Sequence, residues 1–266
     1  MLKVGIVGCG AIGSELARLI AKRFSQTAKL AYLCDHNAAR IEAVQKNFKF
    51  KCQALAVDQL IRKSDFIIEA ASQDAAAYIV PKALRLGRSI MVLSVGGLLR
   101  ISPRVFRNAP GLLYVPSGAV SGIDGLLAAY QNHIKRVTLT TYKPLKSLEE
   151  APFFKKRGFA MKNIRKPTVI FEGNAKTAIR FFPQNINVAA TLSLAGIGAE
   201  KTRVRIVTSP HFTRNTHEVQ VDGDFGSIRT VTENVPSKTN PKTSALAVYS
   251  AAACLEKIFS SVKVGT

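Results

Sequence analysis

Apolar and polar positions follow two different patterns along this chain. Through about residue 118, short unbroken apolar runs alternate with stretches of helical period. Residues 3–7 form the first run, and Ser14–Phe24 follows with Leu16, Ala17, Leu19, Ile20 and Ala21 at helical spacing. The same alternation predicts a strand at Leu30–Cys34, a helix at Ala38–Phe48 and a short strand near Cys52–Val57. Beyond these come a strand over Ser64–Ala70, a helix over Asp74–Leu86, a strand at Ser89–Ser94, a short helix near Pro103–Asn108 and a strand at Leu112–Val115. Alternation of this kind is the signature of a doubly wound, Rossmann-type parallel α/β sheet.

After the helix Ile123–Asn132 the pattern changes. Strands are expected at Arg136–Tyr142, Thr168–Phe171, Arg203–Thr208, His217–Val221 and Ser227–Thr232, the last two joined by the turn Asp222-Gly223-Asp224. Helices are expected at Asn174–Phe182, Asn187–Ala195 and Thr243–Phe259. Many strands with few helices point to an α+β domain on a mixed or antiparallel sheet. The expected organisation is a first domain over 1–118, a second over 119–239, and a C-terminal segment, 240–266, that packs back on the first.

The first candidate for chemistry lies where the first strand ends. Gly8-x-Gly10-Ala11-Ile12-Gly13 joins a buried strand to a helix, the arrangement that seats a pyrophosphate on a helix N-terminus. Gly8 permits the turn, Gly10 lets the backbone approach the phosphates, and Gly13 lets the helix lie close on the strand. Asp35 ends the second apolar run 22 residues after Gly13, where an acidic side chain accepts hydrogen bonds from the adenosine ribose. The competing reading of Asp35 is a cap for the helix that follows. Together these features predict a dinucleotide, NAD or NADP; Asp35 repels a 2′-phosphate, whereas His36 and Arg40 lie near enough to leave NADP open. Ligands of such sheets sit beyond the strand carboxyl ends, so Ala70, Ala71 and Ser72, with Ser94–Gly97 and Ser117–Ala119, are expected to line one crevice.

In the second domain, Asn215-Thr216-His217-Glu218-Val219-Gln220-Val221 places His217 on the strand face of Val219 and Val221. A histidine in that pattern is ordinarily a packed, hydrogen-bonded residue. His36, His133 and His211 are weaker candidates still.

Composition adds bounds. A chain of 266 residues with 47% hydrophobic content has ample material for two folded domains. No apolar stretch is long enough to cross a bilayer, and the first strand begins where a signal peptide would lie, so a cytoplasmic protein without a membrane partner is expected. Cys9, Cys34, Cys52 and Cys254 have no metal-binding spacing and are expected to be buried thiols, so no metal site is expected. Cys9 falls inside the glycine turn, where its modification would block cofactor binding. The net charge of +21, from 38 basic and 17 acidic residues, is the anomaly. It suits a polyanion partner, yet no nucleic-acid motif accompanies it and no specific nucleic acid is expected. The densest basic cluster, Lys143–Lys166, lacks periodicity and reads as a solvated loop, the functional alternative being a lid or funnel that draws in anionic ligands.

Several segments in order carry a resemblance. They are Gly10–Gly13, Glu69-Ala70-Ala71-Ser72-Gln73, Pro116–Asp124, Phe182–Leu192 with its Asn-x-Asn-Val-Ala-Ala, Arg203–Val207, Asn215-Thr216-His217-Glu218 and Asn240-Pro241-Lys242-Thr243-Ser244. Over nearly its whole length the chain resembles the L-aspartate dehydrogenases, a Rossmann group related to homoserine dehydrogenase and dihydrodipicolinate reductase. The resemblance implies oxidative deamination of L-aspartate through iminoaspartate to oxaloacetate and ammonium, with NAD or NADP, an imine that can feed NAD biosynthesis, and a homodimer formed through the second-domain sheet. It makes His217 the active-site residue and places Ala119 and Asn187 against the nicotinamide cofactor. A dianionic substrate needs cations, for which Lys242 is the first candidate, with Thr243 and Ser244 as neutral donors.

Rivals leave specific marks. A sugar-type oxidoreductase would show Glu-Lys-Pro at the fifth-strand end, where this chain reads Ser94-Val95-Gly96-Gly97. Dihydrodipicolinate reductase would carry paired histidines, and none are adjacent here. A homoserine dehydrogenase-like enzyme is the remaining alternative on this scaffold. A non-catalytic NAD-sensing protein that binds nucleic acid is supported by charge alone.

Overall fold

The first apolar run becomes β1 (Leu2–Val7), whose last four residues are buried, as in a strand covered on both faces. It feeds α1 (Ala11–Arg23), β2 (Ala28–Cys34), α2 (Ala38–Phe48), β3 (Gln53–Ala54), α3 (Val57–Lys63), β4 (Phe66–Glu69), α4 (Gln73–Arg85), β5 (Ser89–Val92) and β6 (Leu113–Tyr114). The computed structural model describes residues 1–48, 52–149, 151–157, 163–182, 186–237 and 243–265. All six strands pair in parallel in the order β3-β2-β1-β4-β5-β6, the doubly wound sheet expected from the alternation. Helix α1 begins three residues earlier than the apolar period indicates, because Gly10 itself is the cap residue. Helix α3 is an addition: the stretch after β3 is too short to show a period. The core joins Ile6, Leu33, Phe66, Ile68 and Met91 to Leu16 and Ile20 of α1.

The second half holds α5 (Ile123–Ala129), β7 (Ile134–Pro144), α6 (Pro152–Arg157), β8 (Thr168–Asn174), α7 (Ala175–Phe181), α8 (Asn187–Ala195), β9 (Arg203–Ser209), β10 (Asn215–Gly223), β11 (Gly226–Asn234) and α9 (Ala245–Phe259). Its sheet runs β11-β10-β7-β9-β8, with β7 and β9 parallel and every other pair antiparallel, so it is mixed. The hairpin between β10 and β11 closes at the pair Gly223–Gly226, with Gly226 in the left-handed region at φ +114°. One face of the sheet packs Val137, Leu139, Val204, Ile206, Val219 and Val221 into a core with residues of α5, α7 and α8.

The chain divides into two units, 1–116 with 248–263 and 117–247 with 264–266. Most of α9 therefore belongs to the first unit, where Ala251 and Leu255 join the core and Phe259 packs on Phe24 and Phe66.

The solvated-loop reading of Lys143–Lys166 holds for Lys146, Arg165 and Lys166, which are exposed, and fails elsewhere among the described residues. Lys143 is buried at the end of β7, and Leu148, Ala151, Phe153, Phe154 and Ile164 are all buried in the second core. Phe153 stacks on Phe182 with ring centroids 5.1 Å apart. The basic residues masked a set of apolar anchors spaced too irregularly to show a period.

Candidate active site

In the first unit the glycine turn forms a cradle. Gly8 adopts φ +96°, and a Cβ there would stand 2.5 Å from the Ala70 carbonyl oxygen. At Gly13 a Cβ would stand 1.8 Å from the Gly8 carbonyl oxygen, so only glycine lets α1 pack this closely. Gly10 differs: a Cβ there meets nothing within 4 Å. It would project into open space at the N-terminus of α1, which no side chain caps. An uncapped helix start beneath open space fits a dinucleotide pyrophosphate.

Asp35 stands at the tip of β2 beside this turn. Its carboxylate accepts from the Cys9 amide at 2.7 Å and from the Asn37 amide at 2.9 Å, and its side chain is 3% exposed. The helix cap is Asn37, whose Oδ1 accepts from the Ala39 amide, so Asp35 is left to brace the glycine turn. A carboxylate retains further lone pairs for a ribose hydroxyl. Cys9 is buried, and burial, with the Asp35 charge second, pushes its thiol up to about 12. A thiol so rarely ionised is a weak nucleophile.

Glu69 is the residue of this unit that the sequence reading quoted without assigning a task. It is fully buried at the end of β4, and its carboxylate accepts from the amides of Ala71, Ser72 and Ser94 and from the Ser94 hydroxyl. Burial raises its pKa, and those donors oppose the rise. One carboxylate thus ties together the ends of β4 and β5, where Ala70, Ala71 and Ser72 lie. Ser72 then caps α4 by accepting from the Ala75 amide at 3.1 Å.

In the second unit, His217 is 4% exposed on β10, on the face of Val219 and Val221 as its spacing requires. Its Nδ1 lies 2.9 Å from the Thr141 hydroxyl, directly across on β7. The inward face of four neighbouring strands changes from apolar to polar at this one end. On β7, Val137 and Leu139 give way to Thr141 and Lys143. On β9, Val204 and Ile206 give way to Thr208, and on β10, Val221 and Val219 give way to His217 and Asn215. On β11, Asn234 stands opposite Asn215. Burial, and after it the charge of Lys143, pushes the imidazole down to about 3, so His217 is neutral across the ordinary pH range.

Ala119 precedes α5 in a loop, and its backbone carbonyl accepts from the Asn234 side-chain Nδ2 at 3.0 Å. Asn187 is exposed at the start of α8. Thr243 is half-buried, and its carbonyl accepts from the Ser237 amide at 2.7 Å. Lys242 lies outside the described residues. The opposite face of the sheet borders a groove of about 1450 Å³, lined in part by Thr138, Thr140, Tyr142, Arg205, Glu218 and Gln220. That groove is on the far side of the strands from His217. No group of three or more potential metal-ligating side chains occurs among the described residues, and no helix there is long and apolar enough to cross a membrane.

Residues 8–110 match the NAD-binding domain of homoserine dehydrogenase, and residues 124–258 match the C-terminal domain of aspartate dehydrogenase. The chain is 45% identical to the L-aspartate dehydrogenase of Methanosarcina barkeri and 37% identical to that of Methanocaldococcus jannaschii, covering all of both chains in each case. The crystal structure of aspartate dehydrogenase from Thermotoga maritima superposes with a TM-score of 0.77 at 27% identity, again over the full length of both. An apo scyllo-inositol dehydrogenase from Lactobacillus casei, at 16% identity and a TM-score of 0.54, shares the fold alone; it covers all of this chain and 90% of its own.

Proposed function

The chain belongs to the L-aspartate dehydrogenase family, and on that premise we propose that it converts L-aspartate, NAD⁺ and water to oxaloacetate, ammonium, NADH and a proton. The observation that carries this reading is the neutral, buried His217 at the polar end of the second sheet, on a chain whose glycine turn fits a dinucleotide. The open space at Gly10 receives the pyrophosphate, and Asp35 takes the adenosine ribose; its negative charge selects NAD over NADP. Ala119 and Asn187 meet the nicotinamide end. Once bound, the nicotinamide supplies the chemistry by accepting the hydride from the substrate α-carbon.

His217 then acts on the water that adds to iminoaspartate. Nδ1 lies against the Thr141 hydroxyl; we assign it the donor role there, which leaves Nε2 to accept a proton from the attacking water. The protonated ring returns that proton to the departing amine as the carbinolamine collapses. Burial keeps the imidazole unprotonated beforehand, so it enters the reaction as a base. The imine is a substrate for NAD biosynthesis, and four free thiols suit a reducing, cytoplasmic setting. We also assign a homodimer formed through the uncovered face of the second sheet, whose mixed lining of arginine, glutamate and hydroxyl groups suits a self-complementary contact; light scattering after size exclusion reads it.

The test is NADH oxidation with oxaloacetate, with and without ammonium, and the reverse reaction with L- and D-aspartate. Ammonium-dependent turnover, selectivity for L-aspartate and loss of about a hundredfold or more in His217→Ala with NADH affinity intact support the assignment. Turnover without ammonium would make the protein a keto-acid reductase instead.

A further inference from the structure

Lys143 is the one lysine or arginine found among the buried polar and charged groups of the described residues, and it lies in the polar end of the sheet around His217. It is 5% exposed, no ion pair to it occurs among the described residues, and burial alone pushes its ammonium down to about 8. Its strand neighbour Thr208 bonds the Lys143 backbone carbonyl at 2.7 Å, which fixes the main chain and leaves the ammonium uncompensated. Two residues before it on the same face is Thr141, the partner of His217, so the lysine and the imidazole belong to one cluster. The lysine charge is felt at the imidazole, whose proton it disfavours. The nearby side-chain oxygens, Oδ1, of Asn215 and Asn234 are also buried without partners.

A buried charge without a counter-ion is costly, and unpaired buried acceptors are rare in native proteins. A buried lysine without an ion pair beside two unpartnered side-chain oxygens, at one end of one sheet, marks a place completed by a polar ligand. The opposite face shows the contrast: there Arg136 pairs with Asp222, and Tyr142 bonds Glu218. We propose that the Lys143 ammonium is the counter-ion for a carboxylate of the substrate, anchoring the dicarboxylate beside His217. The assignment rests on the aspartate dehydrogenase reading and deepens it, because an acidic amino acid supplies the anion that the cluster lacks.

Occupancy has a consequence for the neighbouring base. With the site empty, the lysine charge helps to hold His217 neutral; a carboxylate on Lys143 cancels that field and makes the imidazole more basic. Substrate binding thereby prepares the group that must accept a proton.

The experiment compares wild type, Lys143→Met and Lys143→Arg in three measurements: steady-state kinetics with L-aspartate, inhibition by malonate, and NADH binding by fluorescence. Methionine replaces an unpaired buried charge with an apolar chain of similar length, so the fold should tolerate it; Lys143→Gln repeats the comparison if it does not. In the uncharged variant the KM for aspartate and the Ki for malonate should each rise about 10- to 100-fold, as expected for loss of one charge-assisted contact. NADH affinity should be unchanged, and Lys143→Arg should retain malonate inhibition within about tenfold of wild type. Values of KM and Ki within about twofold of wild type in the uncharged variant, or a fall in kcat alone, overturn the role of Lys143 while leaving the activity standing. A wild-type protein that binds NADH but neither turns over aspartate nor responds to malonate overturns the activity itself.

Discussion

Alanine placed at Gly10 and at Gly13 should have opposite consequences although the two positions are three residues apart. At Gly13 the new Cβ lies 1.8 Å from the Gly8 carbonyl oxygen, whereas real Cβ contacts essentially never fall below 3.0 Å. Strand and helix would have to separate by 3.0 − 1.8 = 1.2 Å along that contact, in a core where Ile6, Leu16 and Ile20 are fully buried. Overpacking of this kind costs about 1–3 kcal/mol and at times more. At Gly10 the backbone, at φ −70° and ψ −166°, suits any residue, and the added methyl touches nothing. The cost there is the modest loss of a glycine helix cap, about 1 kcal/mol or less. Its effect falls on the ligand, because the methyl occupies the space above the uncapped helix N–H groups. Losing one or two charge-assisted contacts to phosphate should raise the NADH Kd about 10- to 100-fold. Urea unfolding and NADH fluorescence titration on both variants read the two effects separately. Gly10→Ala with wild-type affinity would show that the pyrophosphate does not rest on Gly10. Gly13→Ala with wild-type stability would refute the packing argument.

Three further outcomes follow from the same structure. Glu69→Gln turns one acceptor oxygen into an amide donor facing buried amides at the ends of β4 and β5, which should cost about 1–3 kcal/mol by urea unfolding and weaken NADH binding; an unchanged urea midpoint would remove Glu69 as the tie between the strands. Thr141→Val removes the hydroxyl that holds His217 Nδ1, so kcat should fall about 10- to 100-fold while NADH affinity stays constant, and an unaltered kcat would show that the ring is oriented by packing alone. His217 has a folded-state pKa of about 3, below its ordinary value, so on acidification the unfolded chain takes up the proton first and stability falls from about pH 6.5 downward. The loss is on the order of 3 kcal/mol at pH 4. His217→Gln should lose correspondingly less stability between pH 7 and pH 4, and equal losses in the two proteins would contradict a buried neutral imidazole.

What could be read in the sequence divides along the line between local and cross-strand information. The nucleotide-binding unit was legible because its signals are contiguous: an apolar strand, three glycines and a helical period within about twenty residues fix both the element order and the cradle. His217 was legible as a position, through its alternation with Val219 and Val221, but its surroundings were not. Thr141, Lys143 and Thr208 become its neighbours only through the registers of β7 with β10 and of β7 with β9. Nothing in the local sequence of Lys143 distinguishes it from the other basic residues up to Lys166, and it was grouped with them in a segment expected to be solvated. The discriminating signal was present in weak form: Val137, Leu139, Thr141 and Lys143 continue one alternation, so a strand extended two residues past Thr141 carries Lys143 to the inward face.

The same inward row explains why the polar end of the sheet resembles ordinary core in sequence. A strand that buries valines at one end and a histidine or lysine at the other keeps a single period throughout, so hydrophobic patterning reports the whole row as interior. The apolar half supplies the packing that holds strand positions fixed, and the polar half uses that rigidity to keep His217, Thr141 and Lys143 in place without a dedicated scaffold. Such an arrangement is destabilising by itself, because it leaves an unpaired lysine and two orphaned asparagine Oδ1 atoms in a buried setting. The apolar half of the same four strands offsets that cost, and a dicarboxylate ligand removes part of it on binding. Stability that rises with malonate concentration in the wild type, and does not in Lys143→Met, is the thermodynamic form of this argument. Equal stabilisation of both proteins would place the anion somewhere other than on Lys143.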